Sequence, residues 1–265
     1  MTRIKVQCKK PLNGFLPKIL ITTLLTATTL MALTNMEIAE KSDKVTDGFE
    51  SSIAQTEMIL INASGQKSTR EMEMKTLEGE NGDKTISTFL TPADVKGTKT
   101  LTHEHVDRDD DQWLYLPALK RVKRIASSNK SGSFMGSEFS YEDIGNQNYN
   151  KFTYEDKVEE VDLNGVPCYK GTRIPKDKNS GYTKEVSWIS KDNFLLQKVD
   201  YYDRKSELLK TATFSDYKKI DGVWRVGKIE MKNHQNDKST ILIWKDDKIK
   251  AGLTDKAFNK RVLKQ

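Results

Sequence analysis

Residues 152–174 read FTYEDKVEEVDLNGVPCYKGTRI. Two runs with β-branched and aromatic residues flank Asn164-Gly165. That dipeptide between such runs marks a tight hairpin, because both central residues of its turn need positive φ. The same kind of signal returns at Asp221-Gly222. Further strand-like segments follow at Tyr182–Ser190, Phe194–Tyr202, Leu208–Tyr217, Val223–Lys232 and Thr240–Lys245, spaced by roughly ten residues. Links this short join antiparallel neighbours. Upstream, Met58–Asn62, Ser68–Leu77, Thr85–Leu90, Thr98–Val106 and Gln112–Leu116 read the same way, with turns at Ala63-Ser64-Gly65-Gln66 and at 78–83. Helices are expected at Lys44–Gln55, where Val45, Phe49 and Ile53 recur every fourth residue, and at Asp255–Leu263. The fold class is mainly β: a curved antiparallel sheet whose concave face must be filled or covered by a helix or a loop.

The beginning of the chain has a different character. Arg3, Lys5, Lys9, Lys10 and Lys18 precede an uncharged run, Ile19–Leu33, and no acid occurs before Glu37. A basic segment followed by a short apolar one is an export signal. Its 15 residues fall short of the about 20 that span a bilayer. A cleaved leader is expected over residues 1–39, cut somewhere in 32–39, with Phe15 and Leu16 able to lengthen the run into an anchor. Residues 40–265 then form one domain, without a composition break or a strong repeat. Cys8 precedes the apolar run and Cys168 lies far beyond it, so no cysteine is placed to carry a lipid and no internal disulfide is available. The expected location is the periplasm. Removing Met1–Thr34 takes away five positive charges and no negative one, so the net charge falls from +6 to +1. The basic balance belongs to the leader and gives no argument for nucleic acid.

Between the two strand regions lies the stretch 111–145, DQWLYLPALKRVKRIASSNKSGSFMGSEFSYEDIG. It is too long for an ordinary connection. Gly132 and Gly136 bracket Phe134-Met135, so the segment reads either as a mobile flap over an apolar site or as a loop that plugs the core with Phe134. Its cations Lys120, Arg121, Lys123 and Arg124 either meet anionic head groups or pair locally with Glu138, Glu142 and Asp143, with Arg121 and Arg124 the better phosphate ligands. His103 and His105 sit at i, i+2 on the strand Thr98–Val106 and so share a face, but no third zinc ligand is spaced to join them. The acidic run Asp107–Asp111 lacks the glycine and terminal glutamate of a calcium loop. Ser127-Ser128-Asn129-Lys130 has the serine-x-x-lysine spacing without its companion motifs. No metal, no cofactor and no catalytic residue is expected.

QWLYLPALKRVKRIASSNKSGSFMGSEFSYEDIG, residues 112–145, resembles the signature of the LolA-like outer-membrane lipoprotein-sorting family. TFLTPADVKGTKTL (88–101), SGYTKEVSWISKDNFLLQKVDYYDRKSELLKT (180–211) and DGVWRVGKIEMKN (221–233) resemble the same family in the same order. The resemblance implies an unclosed β-barrel around an apolar cavity with a helical or loop lid. It implies a periplasmic carrier for the acyl chains of a lipid or lipoprotein, monomeric and associated with an inner-membrane exporter of the RND/MMPL type. Trp113, Tyr115, Leu116, Pro117, Arg121, Arg124, Phe134, Met135, Gly136, Tyr141, Glu142 and Asp143 stand where the family motif places them. The residues expected at the cavity or flap are Trp113, Tyr115, Leu116, Phe134, Met135, Phe139, Tyr141 and Trp188. Arg121 and Arg124 are expected at an anionic head group or a partner. The alternative is an envelope adaptor whose cavity is filled by its own side chains.

Overall fold

Alternation of apolar and polar residues builds strands with one face inward, and this chain alternates almost throughout. The computed structural model describes residues 32–145 and 148–265. The body considered below is the unit Leu33–Gln265. The leader expected over 1–39 lies, up to residue 31, outside the described residues.

After the helix α1 (Asn35–Lys44) come β1 (Ser51–Ile61), β2 (Lys67–Leu77), β3 (Lys84–Thr91), β4 (Lys99–His103), β5 (Asp111–Leu116) and β6 (Arg121–Ile125). A long connection of short 3-10 turns leads to β7 (Phe152–Leu163), β8 (Val166–Pro175), β9 (Lys184–Ser190), β10 (Leu196–Tyr202) and β11 (Leu208–Ser215). A small hairpin of β12 (Lys218–Ile220) and β13 (Val223–Arg225) precedes β14 (Lys228–Asn233) and β15 (Ser239–Ile249). Among the described residues, thirteen strands make one sheet in the order β6-β5-β4-β3-β2-β1-β15-β14-β11-β10-β9-β8-β7. Every pairing along it is antiparallel. The sheet curves but does not close: β6 and β7 are its two edges, although they are neighbours in sequence. Residues 126–151 bridge them.

Cross-strand register sets the two faces. Thr56 pairs with Met72 and Trp244, Met58 with Leu242, Met231 with Ala212, and Ala212 with Val199. Directly opposed residues share a face, so this row is the concave wall. There Met58, Met72, Phe89, Val199, Ala212, Met231 and Leu242 form the main core. On the convex face Ile86 pairs with Leu101 and Leu101 with Trp113. A second core forms there, where Phe258 and Leu263 cover Ile86 and Leu101 with Trp113, Tyr115 and Val122 around them.

Four expectations change. The N-terminal helix is Asn35–Lys44, not Lys44–Gln55. Thr34 caps it in a reciprocal capping box with Glu37, a device worth about 1 kcal/mol. Gly48 (φ 90) and Glu50 (φ 58) then stop any helix, and β1 begins at Ser51. Residues 33–39, within which the expected cut was left open, are part of the folded unit. The expected closing helix is two 3-10 segments, Asp255–Phe258 and Lys260–Lys264, because extended Asn259 caps the second through its side chain. Val223–Lys232 is split into β13 and β14. At the break, a Cβ on Gly227 would sit 2.3 Å from the Asp216 carbonyl oxygen, so only glycine fits there. The expected strand Thr98–Val106 ends at His103, and the two histidines separate: His103 Nε2 contacts the Phe258 carbonyl at 2.7 Å, while His105 Nε2 lies 3.2 Å from Asp111.

Candidate functional site

The concave wall and the segment crossing it leave a cavity of about 360 Å³. Its apolar lining comes from strands on either side of the β1–β15 seam: Met58, Met72, Met74, Phe214, Ile229, Met231, Leu242 and Trp244, with Leu196 and Ile189 beyond. Methionines supply polarizable side chains that adapt to irregular apolar shapes. A volume at the lower end of ligand pockets, lined mainly by apolar groups, is the usual form of a small-molecule site.

One end of the cavity is plugged by the connection between β6 and β7. Phe134 and Phe139 both line it and are almost fully buried. Phe134 packs 6.1 Å from Phe89 and 5.7 Å from Tyr141, centroid to centroid. The plug is a built loop. The Phe134 N–H donates to the Phe139 carbonyl at 2.7 Å, and the Ser137 hydroxyl donates to the Phe134 carbonyl at 2.7 Å. Met135 and Gly136 hold the tight turn between them with φ of 50 and 76. Polar ties dock the loop to the sheet. The Glu138 N–H donates to Thr240 Oγ1 at 3.0 Å, Asn233 Nδ2 donates to Glu138 Oε2 at 2.7 Å, and Arg70 donates to the Met135 carbonyl. Beneath them Lys210 Nζ meets Asp143 Oδ2 at 2.5 Å, with side chains only 4% and 2% exposed. Lys210 also donates to the Glu138 carbonyl, and the Tyr182 hydroxyl donates to Asp143 at 2.8 Å. Burial and the neighbouring carboxylates push the Tyr182 hydroxyl well above its ordinary range, so it stays a donor.

The other end is polar. α1 lies along it, contributing Ala39, Ser42 and Asp43, with Thr46 and Asp47 just beyond. Asn35 seats the helix by donating to the carbonyls of Thr172 (2.8 Å) and Glu155 (3.2 Å). Gly171 makes room, since a Cβ there would fall 2.2 Å from Asn35 Oδ1. Trp224 and Arg225 of the small hairpin, together with Asp83 and Glu104, complete this mouth. Two cations in the lining are satisfied by buried acids: Arg225 Nε bonds Asp247 at 2.8 Å, and Arg173 grips Glu185 at 2.9 and 2.6 Å. Burial, reinforced by Asp47 and Asp83, pushes the Asp43 carboxyl up to about 6 against the bonding Tyr149 backbone N–H and the Arg173 charge. Asp47 is raised by burial and by Glu78.

Of the residues expected at the cavity, Phe134 and Phe139 line it, and Met135 and Tyr141 pack on the same core. Trp113, Tyr115, Leu116 and Trp188 are elsewhere. Alternation explains this. Gln112 and Leu114 take the inward positions of β5, so Trp113 and Tyr115 face out, under Val262 and Leu263. Ser187 and Ile189 take the inward positions of β9, and Trp188 lies outside between Lys170 and Lys198. Arg121 is exposed on the edge strand β6, which sequence did not separate from the basic cluster, and Arg124 pairs with Asp111 at 2.5 Å. Lys130 of the serine-x-x-lysine stretch is held between Glu142 and Asp177. Sequence reasoning missed the methionine-rich wall, whose signal was the alternation within β1, β2 and β14, and the acids at the mouth, which carry no motif.

A family model described as "Uncharacterized protein" matches residues 81–265. No curated protein matches the sequence. Among solved structures, an outer membrane lipoprotein-sorting protein domain from Vibrio parahaemolyticus is 49% identical, with 87% of this chain and 98% of that one covered at a TM-score of 0.82. A DUF1329 family protein from Desulfovibrio piger is 34% identical over 86% of this chain and 97% of its own, with a TM-score of 0.80. A LolA superfamily protein from Nitrosomonas europaea shares the fold at 21% identity and a TM-score of 0.71, over 87% of this chain and all of that one. The chain belongs to the LolA-like outer-membrane lipoprotein-sorting family, together with the DUF1329 protein.

Proposed function

We propose that this protein is a periplasmic carrier that holds the acyl chains of a lipid or lipoprotein in its cavity and passes them between envelope membranes. The observation that carries this reading is the apolar cavity closed at one end by a self-contained phenylalanine plug. The relative described as a lipoprotein-sorting domain supports it. So does the physics. Each methylene removed from water gains about 0.8 kcal/mol, so a naked 16-carbon chain would face a barrier of about 13 kcal/mol in crossing water. An apolar container lowers that barrier without chemistry. The basic leader would deliver the chain to the envelope. No helix among the described residues is long and apolar enough to cross a membrane. An exporter of the RND/MMPL type would serve as donor or acceptor, which co-purification from the envelope tests.

The adaptor reading rests on the same plug, since Phe134 and Phe139 fill space that a ligand would take. Mass spectrometry of the protein purified from its own envelope without detergent separates the two. A stoichiometric lipid or lipopeptide is expected, and Leu196→Trp with Ile229→Trp, which fill the cavity from its wall, should abolish it. Protein that is empty, and remains empty after incubation with envelope lipids, refutes the carrier.

A further inference from the structure

The corner of the sheet at the β5–β6 turn carries a second surface that the cavity does not explain. The β5–β6 hairpin turns through Pro117–Leu119, and Lys120 takes a left-handed conformation to close it. Leu119 at this tip is 61% exposed, the most open of the large exposed apolar side chains described. Lys120, Arg121 and Lys123 follow it, all exposed. Two other segments bring cations to the same corner. The β3–β4 loop lies against the tip, with Pro117 Cγ 3.7 Å from where a Cβ on Gly97 would sit, and it exposes Lys96. The C-terminal 3-10 segment packs on Trp113, Tyr115 and Val122, and its Val262 carbonyl accepts from Lys99 Nζ at 3.1 Å. That segment exposes Arg261 and Lys264.

None of Lys96, Lys120, Arg121, Lys123, Arg261 or Lys264 forms an ion pair among the described residues. The acids nearby are few. Asp255 is tied to Lys84, Asp111 is shared by Arg108, Arg124 and His105, and Asp94 stands on the β3–β4 loop. This concentration occurs in a body whose net charge, from Asn35 onward, is only +1. Acids, by contrast, line the cavity mouth and crowd the opposite edge strand, β7, which carries Glu155, Asp156, Glu159, Glu160 and Asp162.

We propose that the β5–β6 tip, the β3–β4 loop and the C-terminal segment form a docking surface for an anionic lipid bilayer. Three features favour a membrane over a protein partner. The charges lie on both faces of β6, since Lys123 pairs with inward Leu114 while Arg124 pairs with outward Trp113. They surround a projecting tip with a single leucine, which suits a laterally extended plane: the cations meet phosphates and the leucine enters the acyl boundary. The apolar surface beside it is already covered, since Phe258 and Leu263 pack over Ile86 and Leu101. The inference is independent of the carrier reading, because an empty protein would dock equally well.

The test is sedimentation of the exported protein with vesicles of phosphatidylcholine alone or with about 30% phosphatidylglycerol. Binding is expected only to the anionic vesicles and should fall steeply with salt. Lys120→Gln, Arg121→Gln and Lys123→Gln together should weaken it by about 100-fold, and Leu119→Ser by about five-fold. Lys157→Gln, Lys218→Gln and Lys248→Gln together remove the same charge elsewhere and should leave most of the binding. All of these side chains are exposed, so the variants are expected to fold, which circular dichroism checks. Equal affinity for both vesicles, no binding to anionic vesicles, or equal loss in both triple variants overturns the proposal.

Discussion

Asp43 offers a quantitative test of how the cavity mouth is built. It sits on α1, half-buried, with Asp47, Asp83 and Arg173 as its charged neighbours at the cavity mouth. Burial is the largest influence on its carboxyl, followed by repulsion from Asp47, and the pKa rises from 3.8 to about 6. A group with a raised folded pKa binds its proton more tightly in the folded state than in the unfolded one. Stability therefore falls as pH rises from about 4 to about 6, and the cost stays constant above that. The difference of about 2 pKa units corresponds to about 3 kcal/mol at neutral pH. Asp43→Asn removes the charge and keeps an oxygen for the Tyr149 N–H. The variant should be about 2–3 kcal/mol more stable than the parent at pH 7.5 and approach it near pH 4. Urea unfolding followed by tryptophan fluorescence across pH 4–8 measures this directly. A gain that does not change with pH, or a loss at pH 7.5, would show that Asp43 is not an ionised, desolvated carboxylate at the cavity mouth.

Three further outcomes are expected. Lys210→Met leaves Asp143 buried without its cation and should cost about 3–5 kcal/mol in chemical denaturation, much of which Asp143→Asn should restore in the double variant. Phe134→Ala removes the core of the plug and should cost about 3–5 kcal/mol in the empty protein, with a smaller loss when an acyl-bearing ligand is present, as read by thermal unfolding with and without lipid. The mature protein should begin at or before Thr34, because the capping box and the seated Asn35 require those residues. N-terminal sequencing decides this, and Thr34→Ala should cost about 1 kcal/mol.

The antiparallel sheet was legible because its signals are local. Asn164-Gly165 does turn β7 into β8, in register from Leu163 against Val166. The sheet's openness was legible only through resemblance: nothing local says that β1 pairs with the last strand, β15, and leaves β6 and β7 as edges. The plug was half legible. Phe134 stood out between glycines, but the tie that fixes it, Lys210 to Asp143, joins residues 67 apart in sequence. The outward tryptophans misled because aromatic residues suggest a cavity and alternation decides the face. Trp113 and Trp188 fall on the convex side through the parity of their strands. α1 was misplaced because its capping box, Thr34 to Glu37, overlaps the end of the apparent leader.

The two ends of the cavity differ in a way that bears on release. A carrier that buries an acyl chain must also surrender it, and an empty apolar cavity is costly because its walls lose dispersion partners. Phe134 and Phe139 occupy the same wall that an acyl chain would use, beside Met58, Met72 and Met231. If the plug moves as the chain enters, apolar surface is exchanged for apolar surface, and the net free energy is much smaller than the gross burial of either. The polar ties of the plug, through Glu138, Ser137 and Asp143, then fix one resting position to which it returns. On this argument the buried Lys210–Asp143 pair contributes definition of that resting state more than stability, since such a pair roughly breaks even against an apolar replacement. Replacing both partners with well-packed apolar residues should leave the protein folded and make ligand release less switch-like, a change that stopped-flow displacement of a fluorescent fatty acid can follow.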